Sequence, residues 1–311
     1  MIDLATSAAT TSMPLLPAAG GERHVLGLSG GRDSAALAVF MRQHHPEIEV
    51  EYFFTDTGKE LPEVYEFLAR LEGFLGKRIT FLNPDRDFDF WLAQYKHFLP
   101  SPKTRWCTRQ LKIRPFERWV RPSLDAGVRV CSYVAIRSDE HYRDGYLATH
   151  ANMRVRLPFR EHSVDKVGVL EILEASGVGL PAYYSWRSRS GCTFCFFQQK
   201  IEWVRLLETH PEAFEEAKRY EKSAVEHGSP FTWSHGESLD ELSRPERMAR
   251  IREEHAQRLE RARTRRAAMG NPLAREAQGE STISFEAAEA PEDFDIDSVY
   301  GETKGCLVCH K

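Results

Sequence analysis

The chain has 311 residues, with 42 Lys and Arg, 46 Asp and Glu, and a formal net charge of −4. This length supports one large domain or two modest ones, and the near-balance of charge argues against attachment to nucleic acid or membrane by bulk charge alone. No stretch approaches the roughly 20 apolar residues that a membrane helix needs, and residues 1–20 contain no basic segment ahead of an apolar run. We therefore expect a cytoplasmic protein with no membrane partner.

The composition of residues 1–20 predicts a mobile N-terminal tail. From residue 24 to about residue 185, predicted strands alternate with predicted helices. The predicted strands span 25–28, 48–55, 78–82 and 128–136, and the predicted helices span 34–45, 62–75 and 167–176. Such alternation is typical of βαβ units. The predicted fold is therefore α/β, a parallel sheet with helices on both faces.

The pattern becomes helical after Cys195, with helices predicted across 199–227 and 245–269. Nine arginines and four glutamates lie between Arg244 and Arg266, whereas residues 271–300 carry eight acidic residues and one arginine. A basic helix can contact phosphates, although a solvated helix face explains the same composition. The predicted organisation is a tail (1–20), an α/β domain (21–200), a helical C-terminal region (201–270) and an acidic linker with a C-x-x-C tail (271–311).

A glycine-rich segment, Leu-Ser-Gly-Gly-Arg-Asp-Ser at residues 28–34, follows the first strand and opens the first helix. Adjacent glycines let the backbone turn tightly and present its N–H groups, and the helix adds its positive N-terminal end. The segment therefore predicts a phosphate-binding loop, although an ordinary glycine turn with a helix cap has the same local composition. It is not a Walker A loop, because the lysine of that motif is absent.

The S-G-G-x-D-S pattern in this segment resembles the PP-loop of the ATP pyrophosphatases, which cleave ATP between its α and β phosphates. At the end of the second strand, residues 56–63 resemble the D-T-G-x-x-x-P-E-T segment of the phosphoadenosine-phosphosulfate (PAPS) reductase branch. The resemblance implies an adenine nucleotide alpha hydrolase-like fold. It also implies a set of ATP-binding residues, namely Leu28, Ser29, Gly30, Gly31, Asp33, Ser34, Asp56, Thr57, Gly58 and Lys112.

Two further segments extend the resemblance. Residues 103–115 are similar to the family's cysteine, basic residues and K-x-x-P region, and residues 134–143 are similar to its G-I-R-x-x-E-S-x-x-R, with Ala135 in place of the usual glycine. For any single basic residue, a solvated helix face is the simpler interpretation. The resemblance implies catalytic roles for Asp33, Arg109 and Arg137.

Six cysteines are present, four of them in the C-x-x-C pairs Cys192/Cys195 and Cys306/Cys309. Two such pairs fit a four-cysteine zinc site, single pairs fit redox or sulfur-carrying thiols, and Cys306 to His310 also matches the haem-attachment pattern. Resemblance to iron-sulfur members of the PAPS reductase family implies a 4Fe-4S cluster with zinc as the alternative. Its ligands would be Cys107, Cys192, Cys195 and a C-terminal cysteine, Cys309 in preference to Cys306. Cys131, in an apolar strand, is predicted to be a core residue.

Within this superfamily the chain most resembles the DNA phosphorothioation enzymes of the DndC/SspD type. That resemblance implies Mg²⁺ and ATP as cofactors, DNA as substrate, a cysteine desulfurase as sulfur donor and other phosphorothioation-system proteins as partners. Alternative hypotheses are a PAPS or adenylyl-sulfate reductase, a tRNA thiolation enzyme and a non-enzymatic nucleotide-sensing module. The intact S-G-G-x-D-S favours ATP cleavage over reduction.

Overall fold

The computed structural model describes residues 21–143, 150–228 and 231–268. The predicted N-terminal tail and the acidic segment with the second C-x-x-C pair lie outside these residues. Within the described part of the chain, no helix is both long enough and apolar enough to cross a membrane.

A single sheet of five parallel strands organises the N-terminal half. The strands are β1 (Glu22–Leu28), β2 (Val50–Phe54), β3 (Ile79–Phe81), β4 (Arg129–Tyr133) and β5 (Met153–Arg156). Their spatial order is β3-β2-β1-β4-β5, and every neighbouring pair is parallel. The chain therefore builds the sheet outward from β1 in one direction and then returns to the other side of β1, as in doubly wound folds.

Helices cover both faces of the sheet. They are α1 (Arg32–His44), α2 (Pro62–Leu75), α3 (Phe88–Gln94), α4 (Trp106–Thr108), α5 (Arg114–Asp125), α6 (Pro158–Glu161), α7 (Lys166–Ala175), α8 (Lys200–Thr209), α9 (Pro211–Glu226), α10 (Leu239–Leu242) and α11 (Pro245–Ala268). A π-helical turn (Arg109–Ile113) joins α4 to α5, and a 3-10 turn spans Ala182–Ser185.

The two faces of the sheet bury separate hydrophobic clusters because side chains alternate along a strand. In β1, Leu26 belongs to one cluster and Val25 to the other; in β2, Phe54 and Phe53 divide in the same way. Strands buried on both faces are expected in a parallel sheet. This continuous burial explains why these strands appear in the sequence as apolar runs.

Helix α2 spans the predicted range, 62–75. Proline at its first position has a backbone angle suited to a helix start, and Gly76, at a φ of 63°, ends it in the left-handed conformation. Sequence analysis did not predict β5 or the helical run from residue 106 to residue 125. Strand β5 is a four-residue edge strand with arginines at alternate positions, so it lacks the apolar run by which the other strands were recognised.

The C-terminal helices share the larger of the two clusters with the sheet. Trp203 of α8 and Phe214 of α9 are fully buried there, together with Phe88 and Phe194 from the α/β part. The predicted change to helical structure after Cys195 is confirmed by α8 and α9, while the boundary at residue 200 stays a prediction. Since one cluster joins both parts, packing holds the C-terminal helices against the region that carries the candidate site.

Candidate functional site

Three predicted motifs lie at the carboxyl ends of neighbouring strands. The glycine loop follows β1, the segment from Thr55 to Leu61 follows β2, and the segment from Val134 to Glu140 follows β4. Because β1 pairs with both β2 and β4, these loops are adjacent at one edge of the sheet. This is the crevice where open α/β sheets bind ligands, at the point where the strand order reverses.

At both glycines of the loop after β1, neighbouring side chains leave little room for a Cβ atom. Gly30 has a φ of +70°, and a Cβ there would lie 2.6 Å from Cγ1 of Val64 in α2. A Cβ on Gly31 would lie 2.7 Å from the Ser190 hydroxyl oxygen. The first glycine is needed for backbone conformation and for packing, and the second lets the Ser190 segment approach the loop.

Hydroxyl groups hold the loop in shape. The Ser34 hydroxyl accepts a hydrogen bond from the Ser29 backbone N–H at 3.0 Å, lies 3.1 Å from the Ser29 hydroxyl, and is 3.2 Å from the Gly31 carbonyl, to which it donates. The buried Tyr183 hydroxyl donates to the Gly30 carbonyl at 2.7 Å. The backbone N–H of Arg32 donates to the Tyr184 hydroxyl at 3.2 Å. The two tyrosines carry no motif that marks them in the sequence.

Asp33 and Arg137, two predicted catalytic residues, form an ion pair of 3.2 Å between the start of α1 and the loop after β4. Arg137 also binds Asp139 at 2.9 Å, and its backbone N–H donates to Glu140 at 3.1 Å. Burial opposes the charged form of Arg137, but the hydrogen bond to Asp139 and the charge of Asp33 outweigh it, so the pKa of the guanidinium is raised. The replacement of glycine by Ala135 therefore does not prevent this loop from reaching the glycine loop.

Asp56, at the end of β2, is oriented by two donors. Its Oδ1 accepts hydrogen bonds from the Gly58 backbone N–H and from the Tyr65 hydroxyl, both at 2.8 Å. Burial, and then the hydrogen bond to Asp56, raise the pKa of Tyr65, so this phenol remains a donor. Gly58 has a φ of +69°, the left-handed conformation that lets the loop turn back to this carboxylate.

A buried polar cluster connects this second loop with two distant segments. The Thr57 hydroxyl donates to Oε1 of Glu60 at 2.9 Å and lies 3.3 Å from Sγ of Cys192. Lys112 lies in the π-helical turn, and its Nζ is 3.8 Å from Oε1 of Glu60, whose side chain is 1% exposed. Burial, and then the charge of Glu60, raise the pKa of the Cys192 thiol. Arg109 begins the same turn and is exposed.

The C-x-x-C turn packs directly on the second loop. The Thr193 backbone N–H donates to the Lys59 carbonyl at 2.7 Å, and Arg187 donates to the Gly191 and Cys192 carbonyls at 3.1 and 2.7 Å. The sequence predicts this segment only as a source of metal ligands. The contact of Ser190 with the glycine loop has no signal in the sequence.

Cys131 is buried in β4, which confirms it as a core residue, whereas Cys107, Cys192 and Cys195 are partly exposed. Among the described residues, no group of three or more His, Cys, Asp or Glu side chains is placed to hold a metal ion. Cys309 lies outside those residues. The cluster and its ligands therefore stay a prediction, and none of the chemical steps proposed for this site requires them.

Two solved structures are among those similar to this chain. One is the phosphate complex of phosphoadenylyl-sulfate reductase from Candida auris, with 12% identity, a TM-score of 0.43, and coverage of 55% of this chain and 81% of that one. Another is the U34-tRNA thiolase from Methanococcus maripaludis with its 4Fe-4S cluster, with 14% identity, a TM-score of 0.37, and coverage of 74% and 82%.

Two relatives match by sequence. An uncharacterised protein of Methanocaldococcus jannaschii is 25% identical in an alignment of length 198 that covers 61% of this chain and 40% of that protein. An uncharacterised nin region protein of Escherichia phage lambda is 28% identical in an alignment of length 145 that covers 39% of this chain and 50% of that protein. The chain spans half or less of the length of these relatives. Residues 23–143, less than half of the chain, match the phosphoadenosine phosphosulfate reductase domain.

Proposed function

We propose that this chain is an ATP pyrophosphatase that adenylylates a nucleic-acid acceptor, foremost the DNA backbone, for sulfur incorporation. The observation that carries the proposal is the glycine loop after β1, which keeps both glycines and the paired hydroxyls of Ser29 and Ser34 at the switch point of the sheet. Two basic residues lie on other segments: Arg137 pairs with Asp33 at the start of α1, and Lys112 lies 3.8 Å from Glu60 in the loop after β2. A site of this kind is suited to a polyphosphate rather than to a single carboxylate.

The proposed reaction moves negative charge onto the leaving pyrophosphate. An acceptor oxygen attacks the α-phosphorus, the P–O bond between the α-phosphorus and the bridging oxygen breaks, and pyrophosphate leaves with the bonding electrons. Backbone N–H groups of the loop and the N-terminus of α1 stabilise the charge that develops on pyrophosphate. The Ser29 hydroxyl donates to its oxygens, whereas the Ser34 hydroxyl, which donates to the Gly31 carbonyl, keeps the loop in shape. Mg²⁺, when bound, would neutralise part of the negative charge of the phosphates.

The ion pair of Asp33 with Arg137 gives both groups a positioning role before ATP binds. Arg137 is anchored by Asp139 as well, so its guanidinium can exchange Asp33 for a phosphate oxygen without losing its orientation. Released from the pair, Asp33 faces the nucleotide site from the first turn of α1. In the second half of the reaction, the outer sulfur of a cysteine desulfurase persulfide attacks the adenylylated acceptor and AMP leaves, and a thiol reductant then cleaves the S–S bond, which leaves the sulfur on the acceptor.

The experiment is product analysis with ATP labelled at the α-phosphate, incubated with the full chain, Mg²⁺, DNA, and a cysteine desulfurase supplied with cysteine and a thiol reductant, so that both halves of the reaction can run. We expect AMP and pyrophosphate, reduced strongly by Ser29→Ala and not by Ser185→Ala, which removes an exposed hydroxyl from the 3-10 turn. ADP as the only nucleotide product would reject α-β cleavage.

Anoxic purification tests the cofactor part of the proposal separately. A brown protein with iron and sulfide in equal amounts supports the 4Fe-4S cluster on Cys107, Cys192, Cys195 and Cys309. A colourless protein with one zinc per chain would reject it. This readout does not depend on activity.

A second candidate, reduction of PAPS, is supported by the match of residues 23–143 to the PAPS reductase domain. In that case the chain, supplied with thioredoxin and PAPS, would release sulfite. Because this reaction breaks no α-β phosphate bond, sulfite release that persists in Ser29→Ala would favour the reductase over the ATP pyrophosphatase.

A further inference from the structure

Arg189 lies between the glycine loop and the C-x-x-C turn. The hydroxyl of its neighbour Ser190 is 3.4 Å from the Ser29 hydroxyl, so the segment that carries Arg189 reaches the proposed nucleotide site. Its Nη1 atom is buried without a hydrogen-bond partner, although the residue as a whole is partly exposed. A buried donor without an acceptor is costly, and a ligand that brings oxygen acceptors to this position would relieve that cost.

Nearby protein groups do not supply the missing acceptor. The carboxylate of Glu202 attracts Arg189 electrostatically, but it already accepts hydrogen bonds from the backbone N–H and hydroxyl of Ser188 at 2.7 and 2.6 Å and from the Gln199 N–H at 2.8 Å. Burial lowers the pKa of Arg189, and the charge of Arg187 lowers it further. Glu202 and Cys195 act in the opposite direction. An anion beside the guanidinium would counter the cost of burying its charge.

An aromatic ring lies next to this cation. The guanidinium carbon of Arg189 is 5.3 Å from the centre of the Phe197 ring, and that of Arg105 is 5.4 Å from the same centre. Phe197 is partly exposed and is in ring contact with Phe196 at 4.4 Å. Proteins that bind single-stranded nucleic acid combine cations for the backbone with aromatic rings on which bases stack.

We propose that Arg105, Arg189 and Phe197 form the binding site for the acceptor strand. The two guanidiniums bind a backbone phosphate of single-stranded or locally opened DNA, and an unstacked base packs against the part of the Phe197 ring that is exposed beside them. Because Ser190 links Arg189 to the glycine loop, a phosphate held here lies next to the nucleotide whose α-phosphorus it would attack. The inference rests on the proposed function and assigns its acceptor site.

The test is fluorescence anisotropy of a labelled single-stranded DNA 20-mer with the full chain over a series of salt concentrations. We expect Phe197→Leu to weaken binding by about 5- to 150-fold, the range for loss of one stacked base. We expect Arg189→Gln to weaken binding and to reduce the slope of log affinity against log salt by about 0.7, the value for one phosphate contact on a single strand.

Matched controls are Arg129→Gln and Phe81→Leu, which change exposed residues on β4 and β3. Arg129 begins its strand at the edge of the sheet opposite the site, and Phe81 is 43% exposed. Both controls should bind the strand as the parent protein does. A fluorescent ATP analogue, titrated in parallel, reports whether the phosphate held by Arg189 belongs to the acceptor or to the nucleotide.

Three results would overturn the inference. The first is unchanged strand affinity in both site variants. The second is weaker ATP-analogue binding in Arg189→Gln with strand binding intact, which would assign the phosphate to the nucleotide. The third is tighter binding of duplex than of single strand together with insensitivity to Phe197→Leu. A different result would separate the two proposals. If strand binding depends on these residues but no AMP and pyrophosphate are formed, the ATP pyrophosphatase proposal is wrong and the assignment of a strand-binding site is confirmed.

Discussion

Replacement of Gly30 by alanine tests whether the glycine loop is specified by the tertiary structure around it. A left-handed conformation costs a non-glycine residue about 1–2 kcal/mol, and Gly30 has a φ of +70°. Its new Cβ would also lie 2.6 Å from Cγ1 of Val64, and overpacking a core position costs about 1–3 kcal/mol. We expect Gly30→Ala to lower the free energy of unfolding by about 2–5 kcal/mol.

Gly31→Ala is the matched comparison. Gly31 has a φ of −102°, which any residue adopts, and its Cβ would meet the Ser190 hydroxyl, which can rotate away. The cost of Gly31→Ala should therefore be smaller than that of Gly30→Ala. In the double variant Gly30→Ala/Val64→Ala the overpacking is relieved, so its loss of stability should be smaller than the sum for the two single variants, with a coupling free energy of about 1–3 kcal/mol.

Urea unfolding of the parent protein, Gly30→Ala, Gly31→Ala, Val64→Ala and the double variant, with the ATP-cleavage assay on each, supplies both readouts. Equal losses of stability in Gly30→Ala and Gly31→Ala, or no coupling between positions 30 and 64, would refute the steric argument. A fully stable Gly30→Ala that cleaves ATP normally would refute the role of this loop geometry in phosphate binding.

Three further predictions concern the surroundings of the site. Tyr183→Phe leaves the Gly30 carbonyl without its buried donor and should cost about 1–3 kcal/mol in urea unfolding. Arg137→Gln removes the partner of Asp33 and should lower the ATP-cleavage rate more than Arg137→Lys does, as measured by AMP release; equal rates would contradict a specific role of the guanidinium. Burial, with two nearby arginines, lowers the pKa of His255 from its ordinary 6.5, so the unfolded chain binds the proton more readily and stability should fall as pH drops below that value. The change of urea midpoint with pH should be smaller in His255→Gln, and an unchanged dependence would contradict this assignment.

The α/β class and helix α2 were predictable because their signals are local. Proline favours the first position of a helix, and glycine favours the position just past its end. These backbone preferences belong to the residues themselves and do not depend on tertiary contacts. Strands β1 and β2 were recognisable because burial on both faces requires continuous apolar runs. Strand β5 was not, because an edge strand with alternating arginines has no such run.

Motif residues were predictable one loop at a time. Gly30, Asp56 and Arg137 each follow a predicted strand, and the rule that ligands bind at the carboxyl ends of parallel strands places them at one edge of the sheet. The sequence alone therefore determined the fold class and the three loops from which a nucleotide site is built.

Only the tertiary structure decided which distant residues complete that site. Ser190 is 161 residues from Ser29, and Tyr183 is 153 residues from Gly30, yet their hydroxyls contact the glycine loop. Nothing in the local composition of these segments specifies such contacts. They depend on how the C-x-x-C turn packs against the loop after β2, through the hydrogen bond from Thr193 to the Lys59 carbonyl. Packing between segments remote in sequence, and not backbone preference, therefore sets the part of the site to which we assign the acceptor strand.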